Sequence, residues 1–167
     1  MFLRQRFRIA FEQDAPDVGL RFRRVFSFGP AGNVLRLATW VSSTGESRTL
    51  RRAGLLETSF SGESFYETGP APASFPLFGK SLFVGLEHVS GECHSDDSKA
   101  LIAQSPYLEV GPAWQFVATV VIGWAAPGAV APLAGEAPMR EPFLQYLDTI
   151  RLKPRDLFGG RNGQRPA

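Results

Sequence analysis

Short runs in which apolar and polar residues alternate are the dominant pattern along this chain. At 34–41, Leu35, Leu37 and Thr39 alternate with a second set of positions that includes Arg36. A period of two places successive side chains on opposite faces of a β-strand. The 17 Gly and 13 Pro interrupt such runs often, as turns between short strands require. The pattern predicts a mainly β protein, specifically a two-sheet antiparallel β-sandwich.

The strand pattern is strongest at 113–124, which is rich in Val, Ile, Phe and Trp, and weakest at 49–60. At 18–28 the alternation slips by one residue at Arg23-Arg24, which indicates a β-bulge. The predicted strands are 18–28, 34–41, 49–60, 81–86, 99–103 and 113–124. The predicted loops or turns are 29–33, 42–47, 62–74, 87–98, 106–112 and 125–138.

One helix is predicted near the C-terminus, beginning at Glu141 and ending before Pro154. Its apolar stripe comprises Phe143, Leu147 and Ile150 at i, i+4 and i+7, widened by Leu144 and Tyr146. The predicted organisation is a β-sandwich domain at 1–138, a C-terminal helix at 139–155 and a disordered tail at 156–167.

The net charge of +2 conceals an uneven distribution of charge along the chain. Residues 1–60 hold ten Arg and five acids, residues 61–150 hold three basic and ten acidic residues, and residues 151–167 hold five basic residues and one acid. This split is typical of solvated faces of opposite sign. Nucleic-acid binding needs a clustered basic stripe. Arg4, Arg6 and Arg8 instead alternate with Gln5, Phe7 and Ile9, which is typical of the solvent-exposed face of a strand, so no nucleic-acid partner is predicted.

No run approaches the roughly 18 apolar residues that a spanning helix needs, so no membrane partner is predicted. The N-terminus has no apolar stretch behind its arginines, so no signal peptide is predicted. The one cysteine, Cys93, cannot form a disulfide within the chain, and this leaves the compartment open.

The segment with the highest concentration of catalytic or metal-binding side-chain types is 87–97, which holds both histidines, the only cysteine and four carboxylates. Three interpretations stay open: a polar turn after a strand, a loop that contacts sugar, and a metal site. The ligand types suit a transition metal, but the spacing matches no zinc pattern, so no metal is predicted. The candidate substrate-binding residues are Glu87, His88, Glu92, His94 and Asp96.

Sequence motifs for nucleophilic or nucleotide chemistry are missing. The chain has no Gly-x-Ser-x-Gly, no Gly-x-Gly-x-x-Gly and no P-loop, so no catalytic residue and no cofactor is predicted. A small stand-alone enzyme that uses 87–97 remains an alternative. Exposed aromatic rings can stack on sugars, and the candidates are Trp40, Trp114, Trp124, Tyr66 and Tyr107.

The stretch from Phe75 to Phe158 carries a family resemblance in the order of its short motifs. These are Phe75-Pro76-Leu77-Phe78, Leu82-Phe83-Val84-Gly85-Leu86-Glu87-His88, Gly91-Glu92, Leu108-Glu109-Val110-Gly111, Val121-Ile122-Gly123, Phe143-Leu144-Gln145-Tyr146-Leu147-Asp148, Ile150-Arg151 and Pro154-Arg155. The order resembles the N-terminal β-sandwich region of α-galactosidase-like, melibiase-type glycoside hydrolases. Ser90 stands where the family usually has proline, and Cys93 where it usually has asparagine.

The resemblance implies a supersandwich-type fold whose helix leads towards a catalytic (β/α)8 barrel. The family's catalytic carboxylates lie on that barrel, which this sequence does not include, so none carries over to this chain. The resemblance therefore implies a fragment or truncated relative of a glycoside hydrolase, a non-catalytic carbohydrate-associated module. Its partner is expected to be a carbohydrate, bound weakly, or a neighbouring catalytic domain; a purely structural docking domain is the further alternative. Glu87 is expected to accept hydrogen bonds from sugar hydroxyls, with His88 beside it.

Overall fold

The computed structural model shows a mainly β protein with one helix among its described residues. It describes residues 7–29, 32–51, 53–63, 65–67, 76–87, 91–96, 99–104, 107–124, 139 and 141–148. The strands are β1 (Arg8–Ala15), β2 (Leu20–Phe28), β3 (Val34–Ser43), β4 (Arg48–Leu50), β5 (Ala53–Ser59), β6 (Tyr66–Glu67), β7 (Leu77–Phe78), β8 (Leu82–Leu86), β9 (Gly91–Asp96), β10 (Lys99–Gln104), β11 (Leu108–Val110) and β12 (Gln115–Trp124). A 3-10 turn at Pro16–Val18 joins β1 to β2, and helix α1 spans 141–148.

The strands form one large sheet and two small ones, and every pairing is antiparallel. The large sheet has seven strands in the order β1-β2-β3-β12-β8-β7-β6. A three-stranded sheet has the order β5-β10-β9, and a two-stranded sheet pairs β11 with β4. The expected mainly β, antiparallel architecture is confirmed.

The large sheet is covered on both faces. Its inner face packs Leu37, Val41 and Val120 against Leu55 of β5 and Cys93 of β9, which forms the sandwich core. Its opposite face packs against α1 in a second, smaller cluster, so we call it the helix-side face. The second cluster comprises Val34, Phe78, Phe83, Val121, Met139, Phe143 and Tyr146.

Strand β3 follows the alternation that the sequence predicts. Leu37, Thr39 and Val41 are buried towards the sandwich core side, while Val34 packs under the helix. Because the period is two, Arg36 shares the helix-side face with Val34. This placement brings a charged side chain beneath α1.

The predicted β-bulge at Arg23-Arg24 is wrong. Strand β2 keeps an unbroken register with both neighbours, from Leu20 opposite Ser43 to Phe28 opposite Leu35. Arg24 instead occupies an inner-face position, so a charged residue interrupts the row of apolar residues and makes the alternation look shifted. A register shift occurs on β12, between Phe116 and Ala118.

Three segments predicted as loops or turns contain strands. Within 62–74, Tyr66–Glu67 forms β6 and pairs with β7. Within 87–98, Gly91–Asp96 forms β9 and pairs along its whole length with β10. Within 106–112, Leu108–Val110 forms β11 and pairs with β4. Cross-strand hydrogen bonding and burial override the weak strand propensity of these polar, glycine-containing segments. The predicted strand at 49–60 is divided into the end of β4 and the whole of β5.

A buried carboxylate holds the turn between β7 and β8. Glu63 accepts hydrogen bonds from the backbone N–H of Lys80 at 2.7 Å and of Ser81 at 3.2 Å, and also from the Ser81 hydroxyl. A side chain at Gly79 would run into this carboxylate and the ring of Phe65. The contact fixes the start of β8, which leads directly to Glu87.

Helix α1 begins inside the predicted segment 139–155 and lies against the sheet. The Phe143 N–H donates to the Met139 carbonyl at 3.2 Å, and the Gln145 amide donates to the Glu141 carboxylate at 3.3 Å. Phe143 and Tyr146 are the buried positions, Leu147 is half-buried and Leu144 is exposed. Ile150 and the predicted tail at 156–167 lie outside the described residues.

Candidate functional site

Glu87 follows the last residue of β8, as the sequence predicts for a strand end. Its backbone N–H donates to the Thr119 carbonyl of β12 at 3.0 Å. The alternation along β8 puts Val84 and Leu86 in the sandwich core, and Phe83 under the helix. Glu87 therefore falls on the helix-side face, where its carboxylate is directed beneath α1.

The Glu87 carboxylate forms a two-point ion pair with Arg36. The Arg36 Nε donates to Oε1 at 2.9 Å, and Nη2 donates to Oε2 at 2.6 Å. The Glu87 side chain is 1% exposed and that of Arg36 is 28% exposed. A planar guanidinium matches a carboxylate in this fork geometry, which makes such pairs both strong and directional.

The third member of this group comes from the helix. The Tyr146 hydroxyl donates a hydrogen bond to the Oε1 atom of Glu87. The Phe83 ring from β8 and the Phe143 ring from α1 pack against each other beside this hydrogen bond, with their centroids 5.2 Å apart. This contact fixes the distance between α1 and the sheet. We call Arg36, Glu87 and Tyr146 the buried triad.

Burial and the hydrogen bond to Glu87 both raise the pKa of Tyr146 well above its ordinary value. Burial acts to lower the pKa of Arg36, but the hydrogen bonds and the charge of Glu87 outweigh it and leave that pKa raised. Tyr146 is therefore a neutral donor and Arg36 a cation at any physiological pH. The triad joins β3, the end of β8 and α1 through one carboxylate.

The chemistry of this arrangement is that of a structural contact. Both oxygens of Glu87 already accept hydrogen bonds from protein donors. The residue sits under the helix rather than at an open surface. Accepting a sugar hydroxyl would require Glu87 to give up a buried charge pair, which costs several kcal/mol.

The other predicted site residues are not brought to Glu87. Glu92, His94 and Asp96 lie on β9, paired in register with Ala103, Leu101 and Lys99 of β10. That sheet packs against the inner face of the large sheet, whereas the Glu87 side chain lies on its helix-side face. A ligand role for the β9 positions stays a prediction.

His88 lies outside the described residues. Within the part of the chain that the structure describes, no group of three His, Cys, Asp or Glu side chains could hold a metal ion. Cys93 is not in a disulfide and is fully buried in the sandwich core.

A second candidate lies on the helix-side face of the large sheet, at the end away from α1. Arg23 of β2 pairs in register with Trp40 of β3, and Trp40 pairs with Phe116 of β12. The Trp40 and Phe116 rings meet edge to face, with their centroids 5.5 Å apart. The register shift just after Phe116 places this ring on the same face as Trp40, while Val117 and Ala118 enter the core.

Trp114 extends this row with two cations above its ring. The guanidinium carbons of Arg21 and Arg23 lie 5.3 and 5.2 Å from the centroid of the indole. Arg23 also forms an ion pair with Glu12 of β1, and the Nε atom of Arg21 is buried without a hydrogen-bond partner among the described residues. We call this group the Trp/Arg surface; it comprises Arg21, Arg23, Trp40, Trp114 and Phe116.

Sequence reasoning finds part of this surface and misses the rest. Trp40 and Trp114 are named as candidate stacking residues, but Arg21, Arg23 and Phe116 are not. The signal is present in the alternation, because Arg21 and Arg23 are two positions apart on one strand. The register between strands, which brings them to Trp40 and Trp114, is not readable from local periodicity.

No family model matches the chain, and no curated protein matches its sequence. The resemblance to α-galactosidase-like hydrolases therefore rests on the residues quoted for it. The helix that the structure describes is too short to cross a bilayer.

Proposed function

We propose that this chain is a non-catalytic, carbohydrate-associated β-sandwich module that contacts glycans through its Trp/Arg surface. The observation that carries the proposal is the cross-strand row Arg23–Trp40–Phe116, with Trp114 beneath Arg21 and Arg23. Galactosides are the first ligands to test, because the motif order resembles melibiase-type hydrolases.

The chemistry of the surface suits a sugar ring. An indole or phenyl face packs against the C–H side of a pyranose, and the apolar contact area is gained at low entropic cost. A guanidinium next to the ring offers several N–H donors in a fixed plane to neighbouring hydroxyls. Four of the five residues lie on strands and Trp114 directly precedes β12, which reduces the entropy lost on binding.

The buried triad supports the non-catalytic part of the proposal. Glu87 is the candidate residue with the most defined geometry, and its carboxylate is occupied by Arg36 and Tyr146. A second carboxylate facing it across a sugar-sized gap would be needed for glycoside cleavage. The groups that donate to its carboxylate here are instead a guanidinium and a phenol.

The test is NMR titration of the ¹⁵N-labelled chain with galactosides and a panel of neutral oligosaccharides. Binding should shift the indole N–H signals of Trp40 and Trp114, and W40A should weaken it about two- to tenfold, since contact with one ring is worth roughly 0.5–1.5 kcal/mol. W124A is the matched control, because Trp124 ends β12, the strand that carries Phe116, but lies outside the surface.

Three results would overturn the proposal. One is an unchanged spectrum with every sugar at tens of millimolar. Another is equal weakening by W40A and W124A, which would mean that the sugar does not use the Trp/Arg surface. Shifts confined to Glu92, His94 and Asp96 would move the binding site to β9 and contradict the assignment made here.

A further inference from the structure

Strand β1 is the edge of the large sheet and is exposed along nearly its whole length. It pairs with β2 on one side, and no described strand pairs with it on the other. Seven of its eight positions are exposed, and only Ala15 is partly covered. A long, regular edge with free N–H and C=O groups is a template for pairing with another strand.

The edge also presents an apolar row on the inner-face side. Phe7, Ile9 and Phe11 are 54%, 39% and 55% exposed, although they alternate with polar residues in the manner of a strand with one face buried. The three-stranded sheet β5-β10-β9 packs over the sandwich core, but it leaves these side chains exposed. Exposed apolar rows of this kind mark surfaces that associate.

We propose that a second copy of this chain pairs with this edge, β1 against β1 and antiparallel, about a two-fold axis perpendicular to the sheet. The two large sheets then form one continuous sheet. With such an axis the inner faces of both copies lie on the same side of the continuous sheet, so the two apolar rows meet. An isologous contact of this type closes on itself and ends at a dimer.

Charge complementarity selects the register. With Phe11 opposite Phe11 at the axis, Arg8 of each copy faces Asp14 of the other, and the pairing spans 8–14. A shift of two residues in one direction sets Glu12 against Glu12, and like charges directly opposite are unfavourable. A shift in the other direction shortens the pairing. It also places Arg8 opposite Glu12, which already forms an ion pair with Arg23 of its own chain.

Arg8 and Asp14 are both exposed, and neither forms an ion pair within the described part of the chain. The dimer supplies each with its partner. It also places both Trp/Arg surfaces on the same side of the continuous sheet, although the dimer does not depend on what those surfaces bind.

The first test is the molar mass of the chain by analytical ultracentrifugation across the micromolar range. The wild type should dimerise with concentration. D14R should weaken the dimer about tenfold or more, because two symmetry-related attractions become repulsions. The double variant R8D/D14R should restore it, which a loss of folding could not produce. E46R is the matched control, a charge reversal at an exposed turn residue outside β1.

The second test reads the register directly. Cβ atoms directly opposite across an antiparallel pair are roughly 4.5–5.5 Å apart, near the separation that a disulfide spans. F11C should therefore form a covalent dimer on mild oxidation, whereas V18C, exposed beyond the strand, should not. A wild type that stays monomeric at high micromolar concentration, no rescue in R8D/D14R, or equal cross-linking of F11C and V18C would each overturn the proposal.

Discussion

Arg36 on β3 and Glu87 at the end of β8 are far apart in the sequence, and their strands are not neighbours in the sheet, yet the two residues meet as a two-point ion pair. Strand β12 lies between β3 and β8, with Val121 paired to Arg36 on one side and to Gly85 on the other. The Arg36 side chain reaches across β12, and its Nε and Nη2 atoms donate to the Glu87 carboxylate at 2.9 and 2.6 Å. The pair thus connects two strands that the backbone hydrogen bonds join only indirectly.

The first prediction concerns the energy of this pair. E87Q should lower the free energy of unfolding by about 3 kcal/mol, because it leaves a largely desolvated guanidinium without its counter-charge. The measurement is urea denaturation followed by circular dichroism, with the slope of the transition compared between variants.

A surface pair of the same type provides the control for E87Q. Arg23 and Glu12 also form an ion pair across neighbouring strands, but their side chains are 44% and 55% exposed. E12Q should cost less than about 1 kcal/mol, because water screens the attraction and solvates both partners. Equal losses in E87Q and E12Q would contradict a buried role for Glu87.

The second prediction concerns Tyr146 and alkaline pH. In the folded chain the pKa of Tyr146 is raised, whereas in the unfolded chain it lies near 10. Below pH 10 both states keep the proton, and the contribution to stability is complete. Above pH 10 only the unfolded state releases it, so stability falls by up to about 1.4 kcal/mol per pH unit.

Y146F separates this effect from the other titrating groups. Near pH 7 it should cost about 1–2 kcal/mol, because Glu87 loses a donor while remaining buried. Between pH 10 and pH 11 the gap between wild type and Y146F should narrow, since the variant has no proton to lose. Y107F, at an exposed position, should stay parallel to the wild type. A constant gap for Y146F across this range would refute the raised pKa.

The sequence predicts the positions of Arg36 and Glu87 separately, but not their contact. Alternation places Arg36 on the face opposite Leu37, and the end of the apolar run places Glu87 at a strand end. Neither observation pairs the two, because β12 comes later in the chain than both and sets their separation. Local periodicity specifies a face, whereas the partner depends on strand order and register.

The same limit explains the errors in secondary structure. Strand β9 contains Gly91, Glu92 and Ser95, so its local pattern indicates a loop, and only the pairing with β10 makes it a strand. Arg24 occupies an inner-face position, and its charge produced a false bulge in β2. At the helix, the apolar stripe includes Tyr146, but nothing local indicates that its hydroxyl meets a carboxylate.

The third prediction separates the faces of α1. F143A should lower the free energy of unfolding by about 3–5 kcal/mol, because the ring packs against Phe78 and Phe83 in the second cluster. L147A, half-buried, should cost less than F143A. L144A, whose side chain is exposed, should change stability by less than about 0.5 kcal/mol. A similar cost for all three in thermal denaturation would mean that the helix has no preferred face.

The fourth prediction concerns Gly123, which lets β12 pass beneath the ring of Phe83. A Cβ at this position would overlap the ring itself, and Phe83 is fully buried, so the ring cannot move into solvent. G123A should therefore destabilise the chain by about 1–3 kcal/mol, the cost of overpacking a filled core. Gly54 of β5 provides the matched control: a Cβ there meets nothing within 4 Å, so G54A should be close to neutral.

The double variant G123A/F83L tests whether the overlap with Phe83 is the cause. F83L alone should destabilise the chain, because it removes part of a ring from a closely packed cluster. Combined with G123A, the smaller side chain leaves room for the new methyl group. The double variant should therefore lose less stability than the sum of the losses in the two single variants. Neighbouring residues that share space commonly show coupling of about 0.5–3 kcal/mol. Strict additivity in denaturant unfolding would mean that G123A acts through the backbone of β12 and not through the ring of Phe83.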